Sequence, residues 1–317
     1  MTDTLAAPAG KYLVDPYQIW AEAEGLTIHT GRALDMRRVE LQEWPRFDAQ
    51  GAICHLDGRC DFLAAFVVEI AGGQEAAAQR HLYEQVCYVV SGEGETEVER
   101  AEGGTFTIPW AAHTMFTVPM NARYRIRNVG AKPARIVAFN DLRYLLSLFR
   151  NERFIFDNPQ PATVVADPAD LAHDLALGTV LRSPLQLGGS TIGTDVIELA
   201  AGTYGTARRQ MQGAHLLCVG GEGYSISWRE GSADFVRTDW KAGVVIGTPG
   251  MMFHQHFNPG RAPARLVAIE LGSSHNPMFR SRRYTYGDTS VYASGSAEIP
   301  TGEEDPLILV MWRNAIL

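Results

Sequence analysis

The stretch Pro133 to Ala138 reads PARIVA, and Pro263 to Ala268 reads PARLVA, 130 residues later. Trp110 and Trp240, Pro119 and Pro249, and Asn128 and Asn258 stand at the same offset. Upstream, VEIAGG (Val68 to Gly73) returns as IELAAG (Ile197 to Gly202), and YVVSGEG (Tyr88 to Gly94) as LCVGGEG (Leu217 to Gly223), both at an offset of 129. One residue has therefore been gained between Gly223 and Trp240, a change expected in a hairpin loop. A chain of 317 residues with one pattern written twice is most simply two copies of one domain.

Each copy reads as β. Runs such as FLAAFVVEI, QVCYVVSG, TFTIP and ARIVAF, then HLLCVG, YSISW, GVVIGTP and ARLVAIEL, are rich in Val, Ile and aromatics and are cut by Gly and Pro at short intervals. Many short strands at regular spacing predict a sandwich or barrel, so the expected class is mainly all-β with two tandem barrels of jelly-roll type. DLRYLLSLFRNERFIFDNP and ADPADLAHDLAL between the copies read as helical or irregular. Asp167-Pro168 and Asp305-Pro306 are expected helix starts, because Pro is favoured in the first turn after an acidic cap. The expected division is an N-terminal arm at 1–44, a barrel at 45–160, a linker at 161–185, a second barrel at 186–290 and a C-terminal arm at 291–317. The arms are expected to be short and helical, with one extra strand in the first.

Composition narrows the partners. A net charge of -8 with no basic run argues against nucleic acid. No apolar run approaches the roughly 18 residues a bilayer span requires, and the N-terminus has neither the basic nor the apolar region of a signal peptide. Cys54, Cys60, Cys87 and Cys218 lack zinc spacing and fit reduced thiols in a cytoplasm. The expected partners are a small-molecule substrate and a second copy of the chain.

The chemistry concentrates in FHQHFNPG, Phe253 to Gly260. Histidines two apart on a strand point to one face, the way a protein aims two imidazoles at one ligand or metal. In each copy a strand ending in SGEG or GGEG is followed by a Pro-containing strand and an asparagine. With two tandem β units this resembles the bicupins of the cupin superfamily, and most closely the gentisate-dioxygenase type. The resemblance covers about residues 45 to 140 and 190 to 275. It implies a non-haem ferrous ion, or another divalent transition metal, held by a His-x-His pair and a later His, in a motif that also carries a Glu. Carried over residue by residue, the later His is His254, with His256 beside it. The His-x-His positions hold Arg208 and Gln210, the Glu position holds Ala214, and His215 follows. The first copy has Gln79, His81 and Gln85 at its ligand positions, with Glu84 adjacent. His113 in PWAAH mimics a ligand but maps to Gly243; Tyr124 and Ile126 are the counterparts of His254 and His256.

Three function classes follow. In a metal oxygenase acting on an aromatic or oxo acid, His215, His254 and His256 form the expected metal set. A metal-free isomerase, cyclase or lyase would use His254 or His256 as acid and base and a buried Arg208 as anion clamp, with Gln210, and in the first barrel His81 and Tyr124, as binding groups. The third is a non-catalytic ligand-binding barrel. A buried guanidinium needs a substrate anion or a protein carboxylate beside it.

Overall fold

The computed structural model describes residues 15–56, 63–149, 151–160, 170–181, 183–185, 187–210, 213–272 and 297–316. They form two β-barrels, each of two facing sheets, with short helices at the edges. No helix among them is long and apolar enough to cross a membrane. The first barrel faces an eight-stranded sheet against a three-stranded one, and the second a five-stranded sheet against a six-stranded one.

Strand alternation decides what each side chain sees. In the strand Gln85–Ser91, Cys87 and Val89 enter the interior of the first barrel, while Val86 and Tyr88 join a cluster between the barrels. In its copy, Ala214–Gly220, Ala214, Leu216 and Cys218 face the second interior, while Leu217 and Val219 join the same seam. Each aliphatic side chain buried there contributes about 1.5–3 kcal/mol, so the barrels form one body.

The seam is tied by an exchange of strands. Ala33–Asp35, which precedes the first barrel, pairs with Val244–Thr248 of the second. Ala172–Asp174, which precedes the second, pairs with Thr114–Thr117 of the first. This corrects the reading of ADPADLAHDLAL as helical or irregular over its Ala172–Asp174 part, which is a strand. The repeated arginines of PARIVA and PARLVA clasp the exchanged segments. Arg135 binds Glu69 at 2.7 Å and donates to the carbonyls of Met36 and Val39. Arg265, 2% exposed, pairs with Glu198 and donates to the carbonyls of Leu175, Ala176 and Thr179. His113 belongs to this frame. Its carbonyl accepts from Leu175 N–H at 2.9 Å, as Gly243 accepts from Met36, and both turns have positive φ.

Other repeated residues prove structural. Asn258 is buried, its Nδ2 donating to the carbonyls of Leu199, Ala200 and Ala262; Asn128 does the same for Ile70, Ala71 and Lys132. In each GEG turn only the first glycine needs positive φ, 93° at Gly92 and 80° at Gly221. The second makes room for tryptophan: a Cβ on Gly223 would lie 2.5 Å from the Trp240 ring, and one on Gly94 2.3 Å from that of Trp110. The residue gained in the second copy lies in its hairpin, between Ser227↔Val236, where the first copy closes at Glu99↔Thr105.

The helix Pro306–Ile316 starts as expected, with Asp305 Oδ1 accepting from Leu307 N–H; Asp167-Pro168 lies outside the described residues. That helix lays Ile308 and Trp312 on the outer face of the six-stranded sheet. Leu142–Phe149 and Glu152–Ile155 are helical, again as read from the sequence.

Two carboxyls meet at the edge of the seam. Glu84 accepts from the backbone and hydroxyl of Thr191, and Asp141 Oδ1 accepts from Glu84 N–H at 2.8 Å. Burial, then the charge of Glu84, pushes Asp141 up to about 8. A carboxyl raised in the folded state stabilises below its unfolded value, and that contribution is lost as pH climbs towards 8. Asp141→Asn, which keeps the accepting oxygen, is expected to gain stability relative to wild type from pH 5 to 8, at up to roughly 1.4 kcal/mol per pH unit. Urea unfolding across that range reads the slope.

Candidate functional site

The two barrels carry the same inward positions but fill them differently. In the first barrel His81, Gln85 and Tyr124 are buried and satisfy one another. The His81 Nδ1–H donates to the Tyr83 carbonyl at 2.7 Å, which leaves Nε2 with a lone pair. Tyr124 donates its hydroxyl proton to that nitrogen at 2.9 Å, and Gln85 donates to the Tyr124 oxygen at 2.7 Å. The imidazole stacks on Tyr83 with ring centroids 3.5 Å apart. Burial pushes His81 down to about 3, so it is neutral. Gln79 turns aside to the carbonyls of Arg46 and Ala77, and Glu84 leaves the interior for Thr191. Phe66, Val98, Ile108, Phe116 and Ile126 pack the remainder. Both ring nitrogens of His81 and the Tyr124 hydroxyl are thus satisfied within the barrel.

That closure predicts a stability role. Tyr124→Phe would leave the His81 lone pair and a Gln85 N–H buried without partners. The expected loss is about 2–4 kcal/mol by denaturant unfolding. Ligand binding in the second barrel is expected to stay unchanged.

In the second barrel the same layer carries smaller and more polar side chains. His254 replaces Tyr124, His256 replaces Ile126, Ala214 replaces Gln85, Ser227 replaces Val98 and Thr238 replaces Ile108. His254 and His256 sit on the strand Phe253–Asn258, their rings on the interior face with centroids 5.5 Å apart. The cross-strand register sets Arg208 and Ser227 beside His254, and Ser225 beside His256. Phe253 and Phe257 take the alternate positions and pack outside, under the C-terminal helix.

The hydrogen bonds give the two imidazoles different faces. The His254 Nδ1–H donates to the Met252 carbonyl at 3.4 Å, so its Nε2 carries a lone pair. Ser225 Oγ accepts from the Trp240 indole at 2.9 Å and lies 2.7 Å from His256 Nδ1. A hydroxyl that already accepts from an indole can give its own proton to Nδ1, and His256 then presents Nε2–H. The site thus offers an acceptor and a donor side by side. Burial, with a further push from Arg208, holds His254 down at about 4. Burial, then His254, then Arg208, holds His256 at about 3.

Two expectations are corrected here. His215 faces the seam: it alternates with Ala214 and Leu216, and its ring lies 5.6 Å from that of Phe139 in the first barrel. A barrel wall separates it from His254 and His256, so the expected metal set is not brought together. Arg208 is not buried. Its side chain is 57% exposed and pairs at 3.0 Å with Glu298 of the strand Ala297–Ile299. Its carboxylate partner is thus supplied by the protein. Gln210 follows the short strand Ala207–Arg209 that carries Arg208 and is half-buried, its carbonyl accepting from Met251 N–H at 2.8 Å.

The first barrel from residue 66 to 140 matches the family model of the cupin domain. Two solved structures show what a pair of such barrels looks like. One is oxalate decarboxylase of Bacillus subtilis, studied for its Mn(II) centres (TM-score 0.51, 13% identity, 77% of this chain and 78% of that one). The other is the formate complex of Lactobacillus farciminis oxalate decarboxylase (TM-score 0.51, 11% identity, 76% and 86%). The chain has the bicupin fold. Identities this low carry the fold and not the reaction. A search of curated proteins finds no match.

A metal is common in cupins, and its fit can be tested on the donors of this bicupin. Tetrahedral and octahedral sites draw three or four protein ligands. Here the interior offers two imidazoles, with a guanidinium, a carboxamide and a methyl group at the other ligand positions. Among the described residues no three His, Cys, Asp or Glu side chains gather as a metal cluster. The donor set does not fit a cupin metal.

Proposed function

We propose that the second barrel is a metal-independent site for a small organic acid, with His254 as proton acceptor, His256 as proton donor and Arg208 as the cation at its mouth. One observation carries this reading: the interior positions that the first barrel fills with Tyr124, Ile126, Gln85, Val98 and Ile108 hold two histidines, an alanine, a serine and a threonine in the second. Giving up such packing costs stability, and a bound ligand offers compensation.

An imidazole held near 4 is a weak base in the empty site. An anion raises it, because a nearby negative charge favours the imidazolium. Entry of a carboxylate would therefore prime His254 for proton transfer as well as engage Arg208 in exchange for Glu298. Reactions within reach are those needing only proton movement beside a carboxylate: isomerisation, cyclisation or elimination.

The test is a panel of small aromatic and 2-oxo acids, followed by calorimetry and by product analysis without added metal. The expected result is a bound acid whose affinity rises as pH falls from 7 towards 5, because binding takes up a proton. Turnover is expected to drop at least a hundredfold in His254→Ala, with binding weakened less than tenfold. Turnover that appears only with added iron and O₂ would favour an oxygenase of the gentisate type instead. Binding without any turnover would leave a ligand-binding barrel, and no binding would overturn the reading.

A further inference from the structure

A cavity of about 540 Å³ lies at the rim of the first barrel, beside the end of the helix Pro16–Ala23. Its size falls within the roughly 300–1,000 Å³ of small-molecule sites. No residue of the second barrel lines it. Four charged side chains do: Glu24, Arg46, Arg80 and Asp157, whose formal charges cancel.

Two of the four satisfy each other. Arg46 Nε donates to Glu24 Oε1 at 3.0 Å, and Glu24 Oε2 accepts from the Trp44 indole at 2.7 Å. The guanidinium of Arg46 also lies 4.1 Å over the ring of Phe156. The other two are held less firmly. Asp157 N–H donates to the Arg80 carbonyl at 3.0 Å, next to the bridge His81↔Phe156, so the two stand on neighbouring backbones. No ion pair joins their side chains. Arg80 reaches only Glu99, at 3.9 Å, and that carboxylate is half exposed and shared with Arg123 at 3.5 Å. Among the described residues, Arg80 Nε has no hydrogen-bond partner and Asp157 joins no ion pair.

A loosely held cation and an unpaired anion, side by side in a cavity of no net charge, suit a zwitterion. A pure anion would be repelled by Asp157, and a pure cation by Arg80. We propose that this cavity binds a free α-amino acid with an apolar side chain, its carboxylate on Arg80 and its ammonium on Asp157. An α-amino acid carries both charges on one carbon, which matches two side chains on adjacent backbones. The guanidinium fork is built for a carboxylate. Pro45, Ala78 and Phe156 supply the apolar wall for the side chain.

Calorimetry on the full chain tests this with L-leucine and L-phenylalanine, their amides, which lack the carboxylate, and their N-acetyl forms, which lack the ammonium. Wild type is expected to bind at least one free amino acid about tenfold more tightly than either derivative, roughly what one charge-assisted hydrogen bond contributes. Arg80→Gln is expected to weaken the free amino acid by about the same factor without weakening its amide. Asp157→Asn is expected to weaken the free amino acid without weakening the N-acetyl form. Asn accepts the φ of 55° found at this exposed position, and unfolding curves report that both variants are folded. The proposal is overturned if a derivative binds as tightly as the free amino acid, or if both variants keep wild-type affinity. It is equally overturned if wild type binds neither amino acid at millimolar concentration.

Discussion

Arg265→Ala is expected to destabilise the protein by about 3–5 kcal/mol, among the largest effects of any single substitution outside the barrel interiors. The guanidinium is 2% exposed and holds three backbone carbonyls, at Leu175, Ala176 and Thr179, besides its pair with Glu198. Removing it orphans those carbonyls, opens a cavity, and loosens the strand that the second barrel lends to the first. Glu198 itself is 57% exposed and can return to water, so most of the loss falls on the clasp. Arg135→Ala removes the equivalent clasp on Met36 and Val39, but that side chain is 14% exposed and makes two carbonyl contacts at 3.2 and 3.4 Å. A smaller loss of about 1–3 kcal/mol is expected. Urea unfolding of both variants checks the order, and equal losses would mean that the clasps matter less than the apolar seam.

The second large effect is a gain. The combined substitutions Arg208→His, Gln210→His and Ala214→Glu restore the donors that the cupin pattern places around His254. Arg208 already shares a face with His254 across a strand pair, and Ala214 faces the same interior. The triple variant is expected to retain about one manganese or iron per chain after dialysis, with metal raising its melting temperature by mass action. His254→Ala in that background is expected to lose the metal again. A triple variant that folds and stays metal-free would mean that this layer has drifted too far for the old geometry.

Much of this architecture could be read from the chain before any coordinate. The offset of 130 joining PARIVA to PARLVA defined two copies, and their short Val- and Ile-rich runs defined barrels. It also took His113 out of the site by aligning it with Gly243, and both turn out to be positive-φ turns that receive an exchanged strand. The pairing of His254 with His256 followed from strand parity alone. What stayed hidden depends on contacts far apart in sequence. The exchange of Ala33–Asp35 and Ala172–Asp174 has only the faint echo of ALD and AHD to announce it, and the arginines that clasp those segments were visible as repeated letters without a stated role. Arg208 was expected inside because its neighbour Glu298, ninety residues on, could not be foreseen.

The outward direction of His215 was legible from the repeat. His215 aligns with Val86, one residue past Gln85, and parity sends any residue there to the outside of its own barrel.

The central claim is that the second barrel works with its imidazoles free of metal. Metal content measures it most directly. Purified wild-type chain, incubated with excess Mn(II) or Fe(II) under exclusion of oxygen and then dialysed, is expected to hold less than about a tenth of an equivalent, because two imidazoles alone make a weak site. Close to one equivalent per chain, lost on His254→Ala, would contradict the account.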